Sequence, residues 1–143
     1  MFPVEERFTI ALHAGARAWR AALERHLKAN GVTAAGWSAL AVLAAAMAPP
    51  SQRELARRLG VDGATLVSTI DRLVAGGLVE RLPGPHDRRV KLVALTDAGR
   101  DLAGRVEREA ALLRLAIAER IDRERLESAA AVLEELQRIL EHA

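Results

Sequence analysis

Cysteine is absent from this chain of 143 residues, which excludes a disulfide framework, a thiolate metal site and a cysteine redox switch. No hydrophobic run is long enough to cross a bilayer. The most apolar stretch, Ala39 to Ala48, stops at Pro49-Pro50, well short of the roughly 20 residues a spanning helix needs. A basic leader is missing too: Phe2-Pro3-Val4-Glu5-Glu6 is acidic where a signal peptide would be positive. The expected protein is cytoplasmic and makes no use of a membrane. Histidine is sparse, and His13, His26, His86 and His142 show neither the H-x-x-x-H spacing of a helical metal site nor a nucleophile context. No catalytic residue, metal or cofactor is therefore expected, and an enzyme is disfavoured.

What is present is a globular composition. Half the residues are hydrophobic and 28% are charged, enough apolar side chain for the core of one domain. The net charge of +2 is unevenly spread. Residues 1–50 hold five Arg/Lys against three acids, residues 51–95 eight against five, and residues 96–143 eight against eleven. A basic middle and an acidic tail suit a central segment that faces a polyanion.

Helical spacing of Phe8, Leu12, Trp19, Leu23 and Leu27 predicts a long first helix from Glu6 to about Ala29, stopped by Asn30-Gly31. Thr33 is placed to cap a second helix over 34–47, apolar nearly all round and so expected to be buried. Ser51-Gln52-Arg53-Glu54 has the form of a capping box, in which serine caps the helix and glutamate reaches back. That third helix is short, ending at Gly60, and Asp62 caps a fourth that runs to Gly76-Gly77. Two short helices around a tight turn form a helix-turn-helix pattern.

The fourth helix has two contrasting faces. Leu66, Ile70, Leu73 and Val74 form one stripe, expected to be buried, while Thr65, Ser68, Thr69 and Arg72 share the other. Small hydroxyls and one arginine fit a DNA major groove, where they reach base edges or phosphates. An ordinary solvated face, usually richer in Glu and Lys, is the alternative for this helix taken by itself. Two short strands follow, Leu78–Leu82 and Val90–Leu95, joined by Pro83 to Arg89. A connection of that length makes a projecting wing with His86, Asp87, Arg88 and Arg89 at its tip. Guanidinium groups on a stiff tip suit the narrow minor groove, and Asp87 is spaced to brace Arg89. A loop ion pair without a partner is the alternative.

Thr96 caps a fifth helix to about Arg120, and Asp122 a sixth to about Leu140. Leu126, Ala129, Ala130, Leu133, Leu136 and Leu140 form a seam, continued by Leu102, Val106, Leu113 and Ile117 on the fifth helix. A single chain has no core large enough to cover both helices, so they are expected to dimerise, with Leu12 of the first helix contributing. The expected fold class is mainly α with a small β-wing: one domain, 1–143, with dimerisation helices at 1–30 and 97–143 around a winged helix-turn-helix at 33–96.

This order of elements resembles the MarR family of transcriptional regulators over nearly the whole chain. The motif is Asp87-Arg88-Arg89 leading to Leu95-Thr96, which matches the family's D-x-R followed by L-T; "SQRELARRLGVDGATLVSTIDRLVAGGLVER" matches its reading head. "ARAWRAALERHLK" and Trp37 resemble the SlyA-like branch. The resemblance implies a homodimeric repressor on a pseudo-palindromic double-stranded DNA operator, contacted by Ser51, Gln52 and Arg53, the Thr65 face and the wing. It also implies release by a small phenolic or aromatic carboxylate held by Arg17, Trp37 and nearby Trp19. Two positions depart from the branch: Ser68 stands where arginine is common, and Ala41 where a histidine is usual. The bidentate guanine contact is thus not expected from position 68. For Trp37 and Arg17 the alternatives are a core ring and an interface ion-pair partner. A dimeric helical protein-interaction module, or a DNA binder without a ligand, is the rival to the whole reading. Steep salt dependence marks the nucleic-acid case.

Overall fold

Side-chain caps set most of the helix starts in this protein, for which a computed structural model describes residues Met1–Ala143. Thr33 Oγ1 accepts from the Gly36 amide at 3.0 Å and opens α2 (Ala34–Ala45). Ser51 Oγ accepts from Glu54 at 3.1 Å at the head of α3 (Gln52–Leu59), and Asp62 Oδ1 accepts from Thr65 at 2.8 Å at the head of α4 (Gly63–Ala75). Thr96 does the same for α5 (Asp97–Ala118) and Asp122 for α6 (Arg123–Glu141). Only α1 (Val4–Ala29) begins without a side-chain cap, with Pro3 at its N-cap. Strands β1 (Val79–Pro83) and β2 (Lys91–Leu95) pair antiparallel, with Val79 opposite Leu95 and Pro83 opposite Lys91.

Two compact units divide the chain, Met1–Arg108 and Glu109–Ala143, and the boundary falls within α5. In the first unit Leu27, Leu40, Leu55, Leu66, Ile70, Val93 and Val106 are fully buried, drawing α1 to α5 and the sheet onto one core. Each such side chain contributes about 1.5–3 kcal/mol through lost apolar exposure. The Val93 amide donates to Pro50 O at 2.9 Å, and Ser51 forms a bridge with Leu92, so the strands are stitched to the entrance of α3. Thr96 ties the far end: its hydroxyl donates to Gly77 O at 2.6 Å and its amide to Leu78 O at 3.1 Å. Gly99 is required there, because a Cβ would collide with the Leu78 carbonyl.

The structure departs from the sequence expectations at several points. Glu54 does not reach back to complete a capping box. Its carboxylate turns along the helix to Arg57 at 2.6 Å and Arg58 at 3.0 Å, two charged donors that outcompete one backbone amide. Both hydrogen bonds hold the Glu54 carboxyl below its usual range. Val74 is 38% exposed, so the buried stripe of α4 is Leu66, Ile70 and Leu73 alone. Leu102 and Val106 are buried in the core of the first unit and do not extend the α6 seam, since the start of α5 is anchored on Leu78 and Gly77. Helix α2 ends at Ala45, where Ala46 turns extended. It is buried through Gly36, Ala39, Leu40 and Leu43, while Ala35, Ser38, Ala44 and Ala45 are exposed. No helix is long and apolar enough to cross a membrane.

Candidate nucleic-acid interface

The outward face of α4 is built by its cap. Asp62 takes the Thr65 amide on one carboxylate oxygen and the Thr65 hydroxyl on the other, at 2.8 Å each. These bonds hold the Asp62 carboxyl below its usual range, the backbone bond being the larger cause. One turn on, the Thr69 hydroxyl donates to Thr65 O at 3.1 Å. Each threonine hydroxyl thus has a local partner, and as a rotatable group it can both accept from and donate to a base edge. Ser68 and Arg72 are exposed on the same face.

The wing is closed by backbone bonds before any side chain acts. Gly84 N donates to Val90 O at 2.8 Å, and Val90 N to Asp87 O at 3.1 Å. Gly84 is buried in this turn, and a Cβ on it would lie 2.6 Å from Asp87 O. Asp87 Oδ1 then accepts from the Arg89 amide at 3.0 Å and from Arg89 Nε at 3.3 Å. The Arg89 guanidinium touches Asp87 through Nε only, and the side chain is 92% exposed. His86 and Arg88 are exposed beside it. The expected bracing of Arg89 by Asp87 is present in this one-point form.

At the entrance of α3, Ser51 and Gln52 are half-buried and Arg53 is exposed. They line a groove of about 330 Å³ together with Arg89, Val90 and Lys91. Two residues here escaped the sequence reading. Lys91 lies at the first position of β2 and adds a cation to the groove. Arg81 of β1 donates from Nε to Gln52 Oε1 at 2.6 Å and from a terminal nitrogen to Asp71 Oδ1 at 2.6 Å. The signal for Arg81 was the two-residue period of the strand: it shares a face with Val79, which is buried.

A MarR family model matches residues 30–90. The transcriptional regulator PA3341 is 38% identical in sequence, its structure covering 95% of this chain and 99% of its own at a TM-score of 0.81. The chain belongs to the MarR family. A mutant E. coli MarR complexed with operator DNA is 26% identical, with 91% and 93% of the two chains covered and a TM-score of 0.81. Staphylococcus aureus MarR in complex with salicylate and kanamycin shares the fold at 20% identity, covering 98% and 94% at a TM-score of 0.88. MarR proteins are transcriptional regulators with a DNA-binding winged helix, not enzymes.

The remaining expected site residues are not among those that line the groove. Trp37 is half-buried and packs against the core of the first unit. Trp19 is half-buried on α1 and Arg17 is exposed on it. Leu12 is half-buried. On α6 no residue is buried: Leu126 and Leu136 are half-buried, Leu133 is 45% exposed and Leu140 66%.

Proposed function

We propose that this chain is a homodimeric repressor of the SlyA-like kind that reads a pseudo-palindromic operator in double-stranded DNA. The α4 face of Thr65, Ser68, Thr69 and Arg72 enters the major groove, and the wing, with His86, Arg88 and Arg89, follows the minor groove. The observation that carries the reading is Arg89: an almost fully exposed guanidinium on a backbone pinned by Asp87 and the Gly84 turn. A cation carried on a fixed backbone, with its terminal nitrogens in solvent, is placed to meet a phosphate or a narrow groove. The apolar residues of α6 supply the dimer contact, and Leu12 adds to it from α1.

The same reading includes an inducer, a small phenolic or aromatic carboxylate, with Arg17 pairing the carboxylate and Trp37 and Trp19 offering aromatic surface. Such a ligand releases the operator only through a difference in affinity between the free and DNA-bound states.

Selection of random duplex DNA with the purified protein, across a salt series, tests the reading. The expected product is an inverted repeat with half-site centres about 34–36 Å apart, bound with a steep salt dependence. Binding that ignores salt, or no enrichment of duplex, sinks it. Placing the selected operator at a promoter tests the sign of regulation, and transcription falls if the chain represses. Salicylate titrations followed by tryptophan fluorescence, with and without operator, test the inducer; equal affinity in both defeats it.

A further inference from the structure

We propose that Arg81 is a positioning residue that turns the Gln52 amide into an outward-facing phosphate clamp. The inference rests on the DNA-binding reading above. Register puts Arg81 on the core-side face of β1, and its side chain is 28% exposed. From there one guanidinium ties β1 to two helices: to Gln52 Oε1 at the head of α3, and on α4 to Asp71 Oδ1 at 2.6 Å and Val67 O at 3.5 Å. A guanidinium only donates, so Gln52 must offer it the carbonyl oxygen. The two N–H donors of the Gln52 amide are thereby left for the groove that Gln52 lines with Arg53, Arg89 and Lys91. An acceptor-only anion between cations is the partner that fits, and on duplex DNA that anion is a backbone phosphate. Arg81 itself is not part of the groove lining. It sets the amide orientation, and through Asp71 the position of the reading helix.

Gln52→Glu and Gln52→Ala separate a clamp from a brace. Glutamate keeps and strengthens the bond to Arg81 but aims an acceptor at the phosphate, whereas alanine only deletes the amide. Operator affinity is expected to fall roughly tenfold for Q52A and roughly a hundredfold for Q52E. That order should hold at both about 50 mM and about 200 mM salt, because screening removes long-range repulsion but leaves two acceptors at contact distance opposed. The melting temperature of Q52E should stay at or above that of the unaltered protein. Arg81→Met should weaken specific binding roughly tenfold with the salt slope unchanged, since the contact it loosens is made by a neutral amide and no cation that neutralises a phosphate is removed. If Q52E binds like the unaltered protein, or better than Q52A, Gln52 is only a brace and the proposal is wrong. A slope lowered by about one unit in R81M makes Arg81 a direct contact and overturns its positioning role. If the unaltered protein binds no duplex, the DNA reading itself has failed.

Discussion

The reading head and the final helix bury apolar surface in opposite ways. In the unit Met1–Arg108 seven large side chains are fully buried, and the polar groups around them are tied into caps, strand stitches and the Arg81 bracket. Helix α6 has no buried residue, although its leucines recur at helical spacing as regularly as those of α4. An isolated helix of this length is marginal in water, and leucines left exposed, such as Leu133 and Leu140, gain little from forming it. The difference teaches that one amphipathic pattern can mark two kinds of surface: one covered by the chain's own fold, the other left uncovered by it.

Four predictions break or sharpen that contrast. The largest effect is expected from Leu133→Asp with Leu136→Asp. In an α6 seam each unpaired carboxylate costs several kcal/mol, about the whole stability of an ordinary association at micromolar concentration. Sedimentation at low micromolar concentration should show monomers; a persistent dimer places the contact elsewhere. Next is Leu55→Ala, which opens a cavity in the reading head and should cost about 2–5 kcal/mol. Denaturant unfolding of this variant, carried out as a monomer by adding the two α6 changes, should show that loss at every protein concentration. Loss that appears only in the dimer would mean that the head does not hold its own core.

Arg89→Ala comes third, with no effect on either core. It should weaken operator binding by about 1–3 kcal/mol and lower the salt slope by about one unit. Asp87→Ala should be milder, since it frees the arginine without removing it. Unchanged affinity in a folded Arg89→Ala dimer would mean that the wing tip does not touch DNA. The smallest effect concerns acid. Asp62 titrates lower in the folded protein than in the unfolded chain because the Thr65 amide and hydroxyl bind its charged form. The cap therefore contributes fully above the unfolded carboxylate pKa of about 3.9 and is lost as pH falls through the lower folded value. Amide exchange at the start of α4 should quicken in that window in the native chain. In Asp62→Asn, which keeps a cap without a titrating charge, the acid-dependent step should vanish; its persistence would assign the acid response to another group.

Much of this was legible in sequence because local chemistry decides it. Thr33, Ser51, Asp62, Thr96 and Asp122 each satisfy an amide three residues on, whatever lies farther away. The D-x-R spacing likewise brings Asp87 and Arg89 together within one turn. Glu54 shows where local rules compete. The capping box and the pairs to Arg57 and Arg58 are both permitted by spacing, and the two charge-assisted bonds prevail. The fate of Leu102 and Val106 could not be read locally, since α5 carries apolar residues along its length and only the anchoring of Thr96 on Gly77 and Leu78 turns its first turns to the core.

The sequence by itself determined the order of elements, the capped helix starts, the hydroxyl face of α4 and the arginine-bearing wing, because each depends on residues within one or two turns of one another. Tertiary structure alone decided which distant polar groups meet and in which orientation. Arg81 looks like one more basic residue of a strand, and folding brings it to Gln52, 29 positions away, and to Asp71, 10 positions away. Hydrogen-bond direction at such a junction depends on which groups meet, and chain spacing does not encode that meeting.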